Sequence, residues 1–252
     1  MLERCGEVGS EKDMVSLSEL KRVNKIRRDF VANVSHELKT PATSLQLLAE
    51  SLVDVLEEDP DQVRFFAERL KNETERLSQL ITDLLDLARL ESDEGVQNPV
   101  PVDVRSVVMA VLARLRPAAR HKKITLSWKR SGSAGLYTVP GDQPQLTSLF
   151  FNLVENAVKY TPAGGWVNVT GCLDESEVVV RVSDTGIGIS EKSLTRIFER
   201  FYRVDKARSK ETGGTGLGLS IVRHVAENHD GRVTVESTLG EGSAFTVHLP
   251  RS

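Results

Sequence analysis

Cysteine is nearly absent from this chain, which has two cysteines, Cys5 and Cys172, among its 252 residues. Two cysteines so far apart provide no disulfide framework, and this composition is typical of a reducing compartment. Apolar runs of the ~18 residues needed to span a membrane are also missing, and no signal peptide is evident. We therefore expect a soluble, cytoplasmic protein that reaches a membrane, if at all, only through a segment absent from this chain.

A marked excess of either charge is missing as well. The chain has 33 lysines and arginines against 36 aspartates and glutamates, a net charge of -3. This balance argues against a general nucleic-acid-binding protein. With 39% hydrophobic residues, a chain of 252 residues can form two small domains with separate cores.

The first part of the chain has the apolar spacing of two long helices. We predict a polar leader over 1–16, a first helix from Leu17 that ends near Pro60, and a second helix with leucines at seven-residue intervals. Two such helices cannot bury both apolar stripes in an isolated hairpin, so we predict a homodimeric four-helix bundle over 17–91. The stripes consist of Val23, Phe30, Val34, Leu38, Leu45, Leu48, Leu52 and Val55, and of Phe66, Leu70, Leu77, Leu80, Leu84 and Leu87.

One histidine on the first predicted helix has the surroundings of a reactive nitrogen. His36 lies about 200° around the helix from Val34, so it faces away from the apolar stripe. Glu37 is its neighbour, Thr40 follows one turn later, and Pro41 weakens the helix at that turn. Taken alone, these residues more often describe a surface histidine near a proline that starts a second helix.

The composition and periodicity change after a predicted linker at 92–101. Helices are expected over 104–120, 143–160 and 219–228, and strands over 124–128, 167–172, 178–183, 233–237 and 244–249. Helices packed on one mostly antiparallel sheet make an α/β two-layer domain over 102–252.

The helix over 143–160 presents polar groups along one face. Asn152, Asn156, Lys159 and Tyr160 recur at helical spacing. Two amides and an ammonium group suit a hydrated Mg²⁺ that bridges phosphates, because Mg²⁺ prefers oxygen ligands and retains several waters. Amphipathic surface helices often show the same pattern, so alone it is weak.

Two glycine-rich segments add to this pattern. Asp184, directly after a strand, can accept a hydrogen bond from an exocyclic amine, while Gly186 and Gly188 let the backbone approach a ring. The commoner meaning of such a segment is a turn. The second segment, 213–218, leads into a helix, where backbone N–H groups form an anion site. The basic stretch 203–212 before it suits a lid over phosphates.

In this order the motifs resemble those of bacterial two-component sensor histidine kinases over about residues 17–250. Residues 35–41 (Ser-His-Glu-Leu-Lys-Thr-Pro) resemble the H box, 152–161 the N box, 184–188 the G1 box, 197–203 the F box and 214–219 the G2 box. The resemblance implies a dimerising phosphoacceptor hairpin followed by a Bergerat ATP-binding domain. Departures are Ala42, where a larger aliphatic residue is usual, and Asn-His-Asp-Gly at 228–231 in place of a His-Gly-Gly turn.

The resemblance also implies roles for individual residues. His36 would accept the phosphoryl group, Glu37 would orient it, and Thr40 would position water to dephosphorylate a response regulator. The residues expected to bind ATP and Mg²⁺ are Asn152 and Asn156 for the metal, Asp184 for adenine, and Lys159, Tyr160, Gly186, Gly188, Arg203, Gly214, Thr215, Gly216, Leu217 and Gly218 for the rest of the nucleotide.

Two other classes of protein remain to be weighed. ATP-hydrolysing clamps such as gyrase share this nucleotide fold but resemble one another in a catalytic glutamate at the position of Asn152. An amide cannot act as a base toward water, and Glu155 points about 100° away. A scaffold with a decayed ATP site is disfavoured because every box is filled.

Overall fold

The computed structural model describes residues 8–56, 59–92, 95–96, 98–131, 137–174, 176–204 and 214–251, and within them all side chains except those of 8–27, 29, 91 and 92. The chain divides into two compact units, Met1–Ser78 and Gln79–Ser252. No helix among the described residues is both long and apolar enough to cross a membrane.

The first unit contains helix α1 (Val8–Asp54) and the beginning of helix α2 (Pro60–Ser92). Helix α1 begins earlier than the predicted start at Leu17, so part of the predicted polar leader is helical. It continues through Pro41, whose side chain is buried. Asp59 caps α2 because its Oδ1 accepts hydrogen bonds from Asp61 N (2.9 Å) and Gln62 N (3.3 Å).

The second unit contains the end of α2 and an α/β domain. After strand β1 (Val100–Asp103) and helix α3 (Val104–His121) come β2 (Thr125–Ser131), β3 (Thr138–Gly141) and helix α4 (Gln143–Tyr160). They are followed by β4 (Trp166–Leu173), β5 (Glu177–Asp184), α5 (Glu191–Leu194), α6 (Gly218–Asn228), β6 (Arg232–Thr238) and β7 (Gly242–Pro250).

Five strands form one sheet in the order β2-β4-β5-β7-β6. The β2–β4 pair is parallel and the other three pairs are antiparallel, which confirms the predicted mostly antiparallel sheet. Strands β1 and β3 form a separate antiparallel pair that was not predicted, and β1 begins inside the predicted linker. Alternate residues of the sheet are buried on the side of α3, α4 and α6, as in Val178, Val180 and Val182 of β5.

Helix α4 has the predicted bounds for local reasons. Asp142 Oδ1 accepts a hydrogen bond from Gln145 N at 2.8 Å, and Pro144 occupies the first turn. Its apolar face is fully buried, with Leu146, Leu149, Phe150, Leu153 and Val154 at most 1% exposed. The opposite face of α4 is therefore the one that presents Asn152, Asn156 and Lys159.

Candidate functional sites

His36 is exposed on α1, as its position relative to the apolar stripe predicts. Its side chain is 80% exposed, and its Nδ1 lies 3.7 Å from Glu37 Oε1. A carboxylate on the Nδ1 side favours the tautomer with the proton on Nδ1, which leaves the lone pair of the neutral ring on Nε2. The Thr40 hydroxyl donates a hydrogen bond to His36 O at 3.1 Å, so its oxygen keeps acceptor capacity toward solvent.

The polar face of α4 meets the second glycine-rich segment. Asn152 Nδ2 donates to Ser148 O at 2.9 Å, which turns Oδ1 toward Gly218. A Cβ on Gly218 would lie 2.5 Å from Asn152 Oδ1, and a Cβ on Gly214 would lie 2.8 Å from Lys159 Nζ. A side chain at either position would displace these polar ends, so the start of α6 lies directly against the N-box face.

Thr215, Gly216 and Leu217 complete this turn. Thr215 Oγ1 accepts a hydrogen bond from Leu217 N at 3.3 Å. Gly216 has φ = +74°, and its carbonyl accepts a hydrogen bond from Phe201 N at 2.9 Å. Leu217 is fully buried, so the structure does not expose this predicted binding residue to a ligand.

Asp184 is a buried carboxyl at the end of β5 and is 9% exposed. Its Oδ1 accepts hydrogen bonds from Gly186 N (2.7 Å) and Ser243 N (3.3 Å), and neither bond uses Oδ2. Burial raises the pKa of Asp184, and the two N–H donors oppose that rise. This fixed carboxyl suits an exocyclic amine, and Gly188, at φ = +67°, packs its Cα against the Thr238 carbonyl beside it.

The remaining predicted residues lie around this site or outside the described structure. Lys159 Nζ lies 5.5 Å from the ring centroid of Tyr160, the exposed residue that ends α4. Asn156 is half-buried one turn after Asn152, and Arg203 is half-buried in the F box. Most of the predicted lid, 205–212, together with Gly213, lies outside the described residues.

Glu155 does not replace the missing catalytic glutamate. Burial raises its pKa, which Lys159 opposes and Asp83 reinforces. Glu155 lies off the Asn152–Asn156 face, as the helical geometry predicts, so it does not point where a base acting on water at that face would be needed.

Sequence reasoning missed one residue of α2 that contacts this site. Asp83 is 5% exposed, and its Oδ2 accepts a hydrogen bond from Thr215 Oγ1 at 2.6 Å while Oδ1 accepts one from Gln79 Nε2 at 2.7 Å. Burial raises the pKa of Asp83, and the hydrogen bonds from Thr215 and Gln79 oppose that rise. A signal was present, because Asp83 occupies the same seven-residue stripe as the buried Leu80, Leu87 and Leu90.

Known proteins resemble this chain in both parts. Residues 26–93 match the family model described as His Kinase A (phospho-acceptor) domain. Residues 141–252 match the model described as Histidine kinase-, DNA gyrase B-, and HSP90-like ATPase. The sensor-like histidine kinase SenX3 of Mycolicibacterium smegmatis is 44% identical over 233 residues, which are 92% of this chain. The chain spans 60% of the length of that relative.

Solved structures agree with these matches. Full-length ShkA in complex with AMPPNP is 30% identical with a TM-score of 0.63, over 87% of this chain and 45% of ShkA. Histidine kinase ThkA in complex with the response regulator protein TrrA has a TM-score of 0.72 over 99% of this chain and 68% of ThkA. The two sequences are 19% identical, so this likeness shows a common fold.

A helical hairpin with an exposed histidine and an α/β domain with N, G1 and G2 boxes define a histidine kinase catalytic core. The family models and the sensor kinase relatives agree with that class. The chain belongs to the histidine kinases of two-component systems.

Proposed function

We propose that this chain is an ATP-dependent protein-histidine autokinase. It transfers the γ-phosphoryl group of ATP to His36 and then to an aspartate of a response regulator, and it also dephosphorylates that regulator. The single observation that supports this proposal best is the close approach of Gly214 and Gly218 to Lys159 and Asn152 beside the fixed Asp184 carboxyl. The AMPPNP bound by ShkA supports ATP as the nucleotide.

The residues at α4 fit a magnesium ion held jointly with the nucleotide. No group of three His, Cys, Asp or Glu side chains among the described residues could hold a metal ion. Asn152 instead directs an amide oxygen at the G2 segment, and Asn156 follows one turn later. Mg²⁺ retains waters and accepts phosphate oxygens, so two amide ligands suffice, and the bound ion would neutralise phosphate charge.

The binding residues position the nucleotide in distinct ways. Asp184 Oδ2 accepts the exocyclic amine of adenine, and the Gly186 and Gly188 backbone lies against the ring. Lys159, Tyr160 and Arg203 face the phosphates, together with the backbone N–H groups at the start of α6. Positioning and charge neutralisation supply most of the rate of phosphoryl transfer.

At the acceptor, His36 attacks as the neutral imidazole. The Nε2 lone pair forms a bond to the γ-phosphorus while the bond from that phosphorus to the ADP oxygen breaks. The proton stays on Nδ1, where Glu37 stabilises the imidazolium that forms. Asn152 replaces the glutamate that would activate water, so the γ-phosphoryl group is preserved for His36.

The proposed organisation follows the sequence expectations. Residues 17–91 form the dimerisation and phosphoacceptor domain, 92–101 the linker and 102–252 the ATP-binding domain. Two copies of the hairpin make the four-helix bundle, and the exposed His36 and Thr40 face a receiver domain. The sensor kinase class of the relatives supports a response regulator as the partner.

Asn156→Ala tests the nucleotide site. We expect it to weaken Mg²⁺-ATP binding and to stop labelling by γ-labelled ATP, with an unchanged unfolding midpoint, because a polar-face amide contributes little to the core. Asn72→Ala, at an exposed position of α2, is the control and should label like the parent. Normal labelling of Asn156→Ala would refute the metal assignment. If the parent releases free phosphate and forms no labelled protein, a gyrase-like hydrolase is favoured instead.

A further inference from the structure

The last turn of α4 ends against other parts of the domain. A helix leaves its final carbonyls without intrahelical partners, and buried carbonyls need a donor. Ala157 O accepts hydrogen bonds from Thr161 N (3.1 Å) and Thr161 Oγ1 (2.6 Å). Tyr160 O accepts one from Ile187 N of the G1 box at 3.3 Å. The N box and the G1 box are therefore joined through the backbone.

One side chain supplies donors for three further carbonyls of this turn. Lys122 Nζ donates to Lys159 O (2.7 Å), Val158 O (2.9 Å) and Thr161 O (3.2 Å). An ammonium group has three N–H bonds, so Lys122 uses all of them on this helix end. A cation at a helix C-terminus is also favoured by the helix dipole.

Lys122 is itself held in place by the turn that follows α3. Its N–H donates to Ala118 O at 3.1 Å, and Lys123, at φ = +58°, reverses the chain. Lys123 O accepts a hydrogen bond from Gly164 N at 3.1 Å, and Thr125 N donates to Gly165 O at 3.0 Å. The backbone that carries the Lys122 side chain is thus hydrogen-bonded to α3 before it and to the α4–β4 connection beside it.

We propose that Lys122 is a positioning residue of the nucleotide site. It fixes the turn that presents Lys159 and Tyr160, and through the Tyr160–Ile187 hydrogen bond it fixes the G1 segment as well. A Cβ on Gly186 would lie 2.9 Å from Tyr160 O and 2.5 Å from Asp184 Oδ1. With contacts so close, a shift of the last turn of α4 moves the carboxyl that accepts adenine.

This inference rests on the proposed nucleotide site and assigns a role to a residue outside every box. Burial lowers the pKa of Lys122, so its ammonium group is held in the domain at a cost that a surface lysine does not incur. The adjacent Lys123 has the same side chain but is exposed, which makes it a matched control.

The test measures the Kd of AMPPNP with Mg²⁺ by calorimetry on the full chain, well below the unfolding midpoint of each variant. We expect Lys122→Met to raise the Kd about tenfold, the loss expected for charged hydrogen bonds that hold binding groups in place. Lys123→Met should leave the Kd unchanged. Lys122→Arg, which keeps the charge and the donors, should recover most of the affinity.

A purely structural lysine would give a different result. In that case Lys122→Met lowers the unfolding midpoint while the folded protein binds AMPPNP with the parent Kd, and this outcome overturns the inference. If Lys122→Met does not fold, Lys122→Gln replaces it with the same criterion. If the parent itself binds no AMPPNP, the proposed function fails and the inference fails with it; parent binding with an unchanged variant Kd removes only the inference.

Discussion

His229 should make the stability of the β-sheet domain depend on pH. It is 6% exposed and bridges two helices, because Asp142 N donates to Nε2 at 3.0 Å and Nδ1 lies 2.8 Å from Val225 O. Nε2 must therefore be the acceptor, and the proton is on Nδ1. Protonation of Nε2 would place two donors face to face at the start of α4.

The direction of the effect follows from the pKa of His229. Burial lowers this pKa, and the Val225 hydrogen bond, Asp142 and Asp230 oppose the shift. Because the folded pKa lies below the unfolded value of about 6.5, the contribution of His229 is complete above that value. It declines as the pH falls from there through the folded pKa, at a rate of up to about 1.4 kcal/mol per pH unit.

The perturbation is His229→Phe, which keeps a ring and removes both hydrogen bonds. Val225 O retains the bond from His229 N at 3.3 Å, so the main loss is the orphaned Asp142 N–H. An unsatisfied donor costs about 1–3 kcal/mol when it is buried, and Asp142 is half-buried. We therefore expect the free energy of unfolding at neutral pH to fall by about 1 kcal/mol, the lower end of that range.

The assay is urea unfolding followed by tryptophan emission. The two tryptophans, Trp128 and Trp166, lie in β2 and β4, so the signal follows the β-sheet domain. The parent should lose stability between about pH 7.5 and about pH 5.5, and His229→Phe should lose less over the same interval. The control His121→Phe, at an exposed position, should behave like the parent. An equal pH response in the parent and His229→Phe would refute the reasoning.

Two further predictions concern the hairpin and its contact with the G2 box. Thr40→Ala should keep autophosphorylation but lose most regulator dephosphorylation, because only the second reaction needs a hydroxyl to align water. The assay is the decay of a phosphorylated regulator with ADP present. If the variant supports decay as fast as the parent does, Thr40 is an ordinary surface residue. Asp83→Asn should raise the unfolding midpoint at neutral pH by about 2–4 °C. Burial raises the pKa of Asp83, so its negative charge costs stability at any pH above the ordinary pKa of an aspartate. A lower midpoint would show that the hydrogen bonds from Thr215 and Gln79, together with the attraction of Lys159, stabilise the Asp83 carboxylate by more than that cost.

The elements that sequence reasoning predicted well are those with local causes. Helix α4 has its cap, its proline and its apolar spacing within 142–160, so its bounds needed no tertiary information. Strands β1 and β3 have four residues each and contain Pro101 and Pro140. They pair with each other across helix α3, and no short-range pattern indicates such a pair.

The same distinction applies to the sites. The boxes are short segments, so the candidate residues could be identified along the chain. Lys122 lies in the turn after α3 and Asp83 on the buried stripe of α2. Their importance comes from partners such as Lys159 O and Thr215 Oγ1 that are distant in sequence. Lys122 and the helix end that it caps are too far apart in sequence for a periodic pattern to connect them.

The most direct test of the proposed function is the fate of the γ-phosphoryl group in His36→Gln. The parent and the control His121→Gln, incubated with γ-labelled ATP and Mg²⁺, should form a protein label that is lost in acid, as an N–P bond is. His36→Gln should bind nucleotide like the parent and form no label, because the acceptor nitrogen alone is missing. Acid-labile label that persists in His36→Gln would contradict the account and transfer the role to one of the other histidines, His121, His224, His229 or His248.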